Sequence, residues 1–156
     1  AQLDAQASCL AGFFSRRGIG RGDVVTLHLP NRCEAAVVTL AAWRLGAVLH
    51  PAAPAYGRQD LAHGLARCGS KAIVVAARFR GTDYTETLHR LRSEDGIAPL
   101  ALVIGQGARK VGIDFDEDLA RAHPYTGTGL HLQMQEAPCD YSNGNRFEGG
   151  APSTST

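Results

Sequence analysis

Four short runs of aliphatic and β-branched residues, Val24–Leu29, Ala47–His50, Lys71–Ala76 and Leu100–Ile104, alternate along the chain with segments of helical periodicity. This alternation constrains the fold more than any other feature. Strands interleaved with helices through short loops specify a mainly parallel sheet with helices packed on its faces. The expectation is an α/β fold, a partial doubly wound sheet in the order α, β, α, β, α, β, α, β.

Punctuation residues set the expected boundaries. Leu3, Ala7, Leu10 and Phe14 recur on one helical face that ends near Arg17, before the turn Gly18–Asp23. The run Val24–Leu29 closes at Pro30. Asn31 with Glu34 three residues later predicts a capping box for a helix over 32–45, stopped by Gly46. Prolines 51 and 54 forbid a helix immediately after the second strand, and Arg58–Arg67 is helical with Gly69 as its stop. Thr82–Arg92 reads as a polar amphipathic helix, and Asp114–Ala122 as a short final one. From His123 periodicity is lost while Gly, Ser, Asn and Thr accumulate, so residues 1–122 are expected to form the domain and 123–156 an irregular, disordered tail.

Composition narrows the function classes. Sixteen Lys and Arg against fifteen Asp and Glu give a net charge of +1, no field for a nucleic-acid backbone or an acidic membrane. No apolar run reaches the roughly 18 residues needed to cross a bilayer, and a cytoplasmic location is the default expectation. Cys9, Cys33, Cys68 and Cys139 form no C-x-x-C pair and are expected to be buried reduced thiols. The chain opens on Ala1, and its only methionine is Met134, so the sequence is expected to begin inside a longer gene product.

Each tempting motif meets a physical objection. Gly18, Gly20 and Gly22 follow a helix and open a strand, the reverse of a dinucleotide-binding loop. Tyr125–Gly129 could present backbone amides to a phosphate, but no lysine follows Lys110 to offset the charge. The six histidines fall singly, with no Ser-His-Asp set or paired-histidine metal spacing. Asp114, Asp116, Glu117 and Asp118 lack the alternating ligands and central glycine of a calcium loop and suit a helix start instead. No residue earns a catalytic, cofactor-binding or metal-ligating assignment.

The order of the motifs says more than any one of them. Ala1–Asp4, Arg17-Gly18-Ile19-Gly20-Arg21-Gly22-Asp23-Val24-Val25 and Leu29-Pro30-Asn31-Arg32-Cys33-Glu34 resemble the opening of the AMP-forming acyl/aryl-CoA synthetases and related adenylating enzymes. Trp43–Pro51, with Pro54-Ala55-Tyr56 and the helix at Asp60-Leu61, is similar to the family's next segment. Phe79–Tyr84 resembles the cyclohexanecarboxylate and medium-chain acyl-CoA ligase branch. The resemblance runs from residue 1 to about 122.

It implies a two-step reaction in the intact parent. ATP and a carboxylic acid give an acyl-adenylate and pyrophosphate, and the thiol of coenzyme A then displaces AMP. Carboxylic acid, ATP, Mg and CoA are the partners implied for that parent, with none implied for this piece alone. The family's T-S-G-T-T-G-x-x-K-G phosphate loop and its C-terminal lid lysine lie downstream of the matched region, so the piece is expected to be inactive alone. The loop's expected place, near Asn143–Glu148, has glycines in the wrong order. Back-translation read one base later permits A-T-I-Q-T-G-T-G-S-K-G-V-L-H there, which predicts a frameshift upstream of about Cys139.

Two rival readings are a stand-alone small α/β binding or interaction domain, and part of a peptide-synthetase adenylation domain that uses carrier-protein pantetheine as acceptor. Half a sheet is further expected to leave an open edge and a bare apolar face, and so to aggregate or stay molten by itself.

Overall fold

The computed structural model describes residues 2–127 of the chain. Helix α1 (Gln2–Arg16) leads through the glycine turn into β1 (Val24–His28), then α2 (Cys33–Leu45), β2 (Val48–Pro51), α3 (Arg58–Cys68) and β3 (Ser70–Ala76). The strands β4 (Arg78–Phe79) and β5 (Thr82–Asp83) form a hairpin before α4 (Tyr84–Ser93). Strand β6 (Leu100–Ile104), a 3-10 turn at Ala108–Lys110, β7 (Ile113–Asp114) and α5 (Phe115–Ala120) follow.

Strands β2, β1, β3, β6 and β7 form one sheet in that order, every pair parallel. Val25 pairs with Leu49 on one side and Ala72 on the other. Because side chains alternate along each strand, the sheet builds two cores. Val25, Ala72, Val74, Ala76, Leu102 and Ile104 pack with Leu10, Phe13 and Phe14 of α1 and Val37, Val38 and Ala41 of α2. Ile73, Val75, Ala101 and Val103 pack with Leu61 and Leu65 of α3 and Tyr84, Leu88 and Leu91 of α4.

This double covering corrects one expectation. The sheet keeps its two edges, β2 and β7, but neither face is bare, and Leu3 is the exposed large hydrophobic residue among those described. Helices on both faces follow from parallel connections, which must cross over the sheet.

The local stops act as expected, and one start does not. Gly46 and Gly69 end α2 and α3 in the left-handed region, at φ 67° and 58°, each returning its N–H to carbonyls of the last turn. The Asn31 and Glu34 capping box does not form. Arg32 occupies the N-cap without capping the helix through its side chain, and Glu34 accepts from its guanidinium at 2.7 Å. The helix expected from Thr82 begins at Tyr84, because Arg80 and Gly81, both at positive φ, turn the chain into the β4–β5 hairpin. Asp83 then caps α4 by accepting from the amides of Thr85 and Glu86.

The cysteines depart from the expectation of buried thiols. Cys33 is exposed and Cys9 half-buried, both free, whereas Cys68 is buried. Past α5 the chain returns to α1. The amide of Tyr125 donates to the Ser8 carbonyl at 2.9 Å. Gly12 admits that approach, since a Cβ there would lie 2.2 Å from the His123 carbonyl oxygen. Cys139, the frameshift expected before it and most of the irregular segment 123–156 lie outside the described residues.

Candidate functional site

In parallel α/β sheets, ligands bind outside the carboxyl ends of the strands, where successive connections leave in opposite directions. Here α2 leaves β1 toward β2 on one side, and α4 leaves β3 toward β6 on the other, so the reversal lies between β1 and β3. Two features stand at this end of the sheet.

The first is a groove of about 420 Å³ at the ends of β1 and β2. Leu27, Leu29 and Ala35 form its floor, the 51–56 loop supplies Pro51, Ala52, Pro54 and Tyr56, and Asn31 brings a polar group. Two prolines keep that loop extended after β2, which is why the chain opens a wall here rather than continuing as a helix.

The second is His28, the last residue of β1, only 2% exposed. Its ring meets Tyr84 edge to face, with centroids 4.7 Å apart. Neither ring nitrogen has a hydrogen-bond partner of acceptable geometry among the described residues. Burial pushes its pKa down, only partly opposed by the nearby backbone of Ala52 and Ala53. Tyr84 in turn donates its hydroxyl to the Pro54 carbonyl at 2.8 Å, tying α4 to the groove wall. Its own pKa is pushed up, chiefly by burial.

Two residues earlier on the same face of β1 lies a contrasting polar chain. Thr26 Oγ1 stands 3.0 Å from His50 Nδ1 and 2.7 Å from Ser70 Oγ, which donates to the Ala72 carbonyl at 2.8 Å. One proton assignment satisfies all three bonds: His50 Nδ1–H donates to Thr26, and Thr26 donates to Ser70. Burial alone lowers the His50 pKa. The arrangement stiffens the sheet and presents no nucleophile, since each hydroxyl is committed.

The motifs weighed in the sequence lie elsewhere. Gly18, Gly20 and Gly22 sit at the amino ends of the strands, opposite the groove, with Gly20 donating to the Asp23 carboxylate. Asp23 also pairs with Lys71 at 2.8 Å; those bonds outweigh burial and lower its pKa. Asp114 caps α5 by accepting from the Glu117 amide, and Glu117 pairs with Arg109 and Arg121. His63, His89 and His123 are exposed. In the Tyr125–Gly129 run, Tyr125 packs against the α1 and α2 core, and residues 128 and 129 lie outside the described part. Sequence reasoning missed the role of Tyr84, whose only signal was an aromatic at the start of an otherwise polar helix.

No group of three or more His, Cys, Asp or Glu among the described residues could hold a metal ion. Nor is any helix among them long and apolar enough to cross a membrane.

Comparison with known proteins places this geometry. The chain is 34% identical over 112 residues to the medium-chain fatty-acid–CoA ligase of Escherichia coli K12, covering 72% of this chain and 18% of that protein. It is 91% identical over 35 residues to a Fuscovulum blasticum protein described as ATP synthase subunits region ORF 1, covering 22% of this chain and 51% of that one. Among solved structures, an acyl-CoA synthetase of Brucella canis superposes with a TM-score of 0.66 at 26% identity, over 78% of this chain and 21% of that one. The chain thus spans about half the length of the Fuscovulum blasticum protein and about a fifth of the two ligases. The AMP-binding enzyme family matches residues 1–137, across both the sheet and the groove, and the chain belongs to that family.

Proposed function

We propose that this chain is part of an ATP-dependent, AMP-forming acid–thiol ligase of the acyl-CoA synthetase type. It supplies a sheet scaffold and one wall of the acyl pocket. The observation that carries this reading is the family match over residues 1–137, joined to an apolar groove at the carboxyl ends of β1 and β2. A groove of that lining suits the hydrocarbon part of a carboxylic acid. The likeness of Phe79–Tyr84 to the medium-chain branch favours acids of intermediate length, handled in the cytoplasm.

The piece does not catalyse by itself. Activating a carboxylate requires charge to offset the triphosphate, and the sequence contains neither the family's phosphate loop nor its lid lysine. Within the intact ligase, the groove's part is to hold the acyl chain and exclude water from it.

A chimera tests both halves of the reading. Residues 1–122 replace the corresponding segment of the Escherichia coli ligase, and thioester formation is followed with acids of increasing length. The expected result is an active chimera with a shifted length preference, beside an inactive 156-residue chain. Activity of the 156-residue chain alone, or a folded chimera devoid of activity, would overturn it.

A further inference from the structure

A buried imidazole with two unbonded nitrogens is uncommon, because each unsatisfied polar atom costs desolvation energy that a hydrogen bond would return. His28 is such a residue, and it lies under the loop that walls the groove. The loop is held by two bonds from outside and one within it. The Ala52 amide donates to the Leu27 carbonyl at 2.9 Å, the Tyr56 amide donates to the Ala53 carbonyl at 2.9 Å, and Tyr84 donates to the Pro54 carbonyl from below. Only the last of these bonds comes from a helix, α4, and the ring that makes it rests on His28.

We propose that His28, Tyr84 and the 52–57 loop form a proton-operated latch, closed over the groove while His28 is neutral and released when His28 takes up a proton. The neutral ring can lie dry against an aromatic neighbour. The imidazolium cannot, since it carries two donors and a charge that need water or acceptors.

The surroundings provide no counter-charge. From α4 His28 meets Tyr84, and Asp83 behind it is engaged with Thr85, Glu86 and Arg78. From the loop come the peptide groups of Ala52 and Ala53, with Tyr56 beyond them, and β3 places apolar Val75 opposite in register. At the start of α3, Arg58 is paired with Glu94 and Asp95. On β2, His50 is turned to Thr26. Hydrating a protonated His28 therefore requires the thinnest cover to move, which is the loop. Proton uptake from solvent is the whole chemical step, and it reverses on deprotonation.

Amide hydrogen exchange on the full 156-residue chain, corrected for intrinsic rates, reads the latch directly at the Ala52 and Tyr56 amides. Between about pH 7.5 and about pH 5, protection at those two amides is expected to fall about tenfold while β3 and β6 amides keep theirs. His28→Phe, which keeps the ring contact and removes the titration, should abolish the fall. Equal loss across β3 and β6, survival of the fall in His28→Phe, or a loop that stays protected while His28 titrates by NMR would each overturn the proposal. If His28→Phe does not fold, the wild-type chain still decides: the NMR midpoint of His28 and the exchange midpoint of the loop must coincide, and separate midpoints refute the latch.

Discussion

The two faces of the sheet are built on opposite principles. The face under α1 and α2 is closed by aliphatic and aromatic side chains alone, with Phe14, Leu10, Val25, Val38 and Val74 fully buried. The face under α3 and α4 buries Thr26, His28 and His50 among its aliphatic residues. Volume and shape set the stability of the first face, whereas protonation and hydrogen bonding also bear on the second. Buried groups that titrate lie on the second face among the described residues, beneath the groove wall.

The largest expected effect comes from breaking the apolar face. Phe14→Ala removes a fully buried ring between α1 and the sheet and should cost about 3–5 kcal/mol, enough to unfold a marginal domain. A denaturant midpoint within error of wild type would show that α1 is dispensable to the core.

Acid should separate the faces next. Burial holds the pKa values of His28 and His50 below their ordinary 6.5. The unfolded chain then binds protons more readily than the folded one. The stabilisation is complete above about pH 6.5 and is lost as pH falls through the lowered folded values. Thermal melts across this window should show declining stability in wild type, with a shallower decline in His28→Phe and in His50→Phe. An undiminished slope in both histidine variants would remove the α3 and α4 face as the origin of acid sensitivity.

Smaller changes sharpen the comparison at the edges of that polar face. Asp83→Ala uncaps α4 and should cost about 1 kcal/mol in chemical denaturation. It should also loosen the Tyr84 anchor, so Asp83→Asn, which retains a capping oxygen, should recover most of the loss. Smallest of all, Glu86→Gln on the exposed side of α4 weakens an i, i+4 pair with Arg90 and should shift stability by only about 0.3 kcal/mol, vanishing in high salt. A larger shift would mean that α4 is less well anchored than its buried Leu88 and Leu91 indicate.

Much of this architecture is legible along the chain. The four long strands, their parallel α/β class and the stops at Gly46 and Gly69 follow from periodicity and from glycine's tolerance of positive φ. The helix starts are less legible. Arg32 competes for the Glu34 carboxylate, and a two-residue hairpin before α4 leaves no periodic trace. Strand β7 escapes for the same reason, since two residues acquire meaning only by pairing with Leu102 and Val103. At the site, the prolines announced an irregular loop, but nothing in the order of residues announced that it would rest on His28 through Tyr84.

The sequence by itself determined the class of fold, the family and the alternation that sorts side chains to two faces, because these depend on local geometry and on motif order. The tertiary structure alone decided the strand order and the meeting of residues 28, 54 and 84. Those contacts join positions far apart in the chain, and their energies depend on burial, which no local pattern of residues specifies.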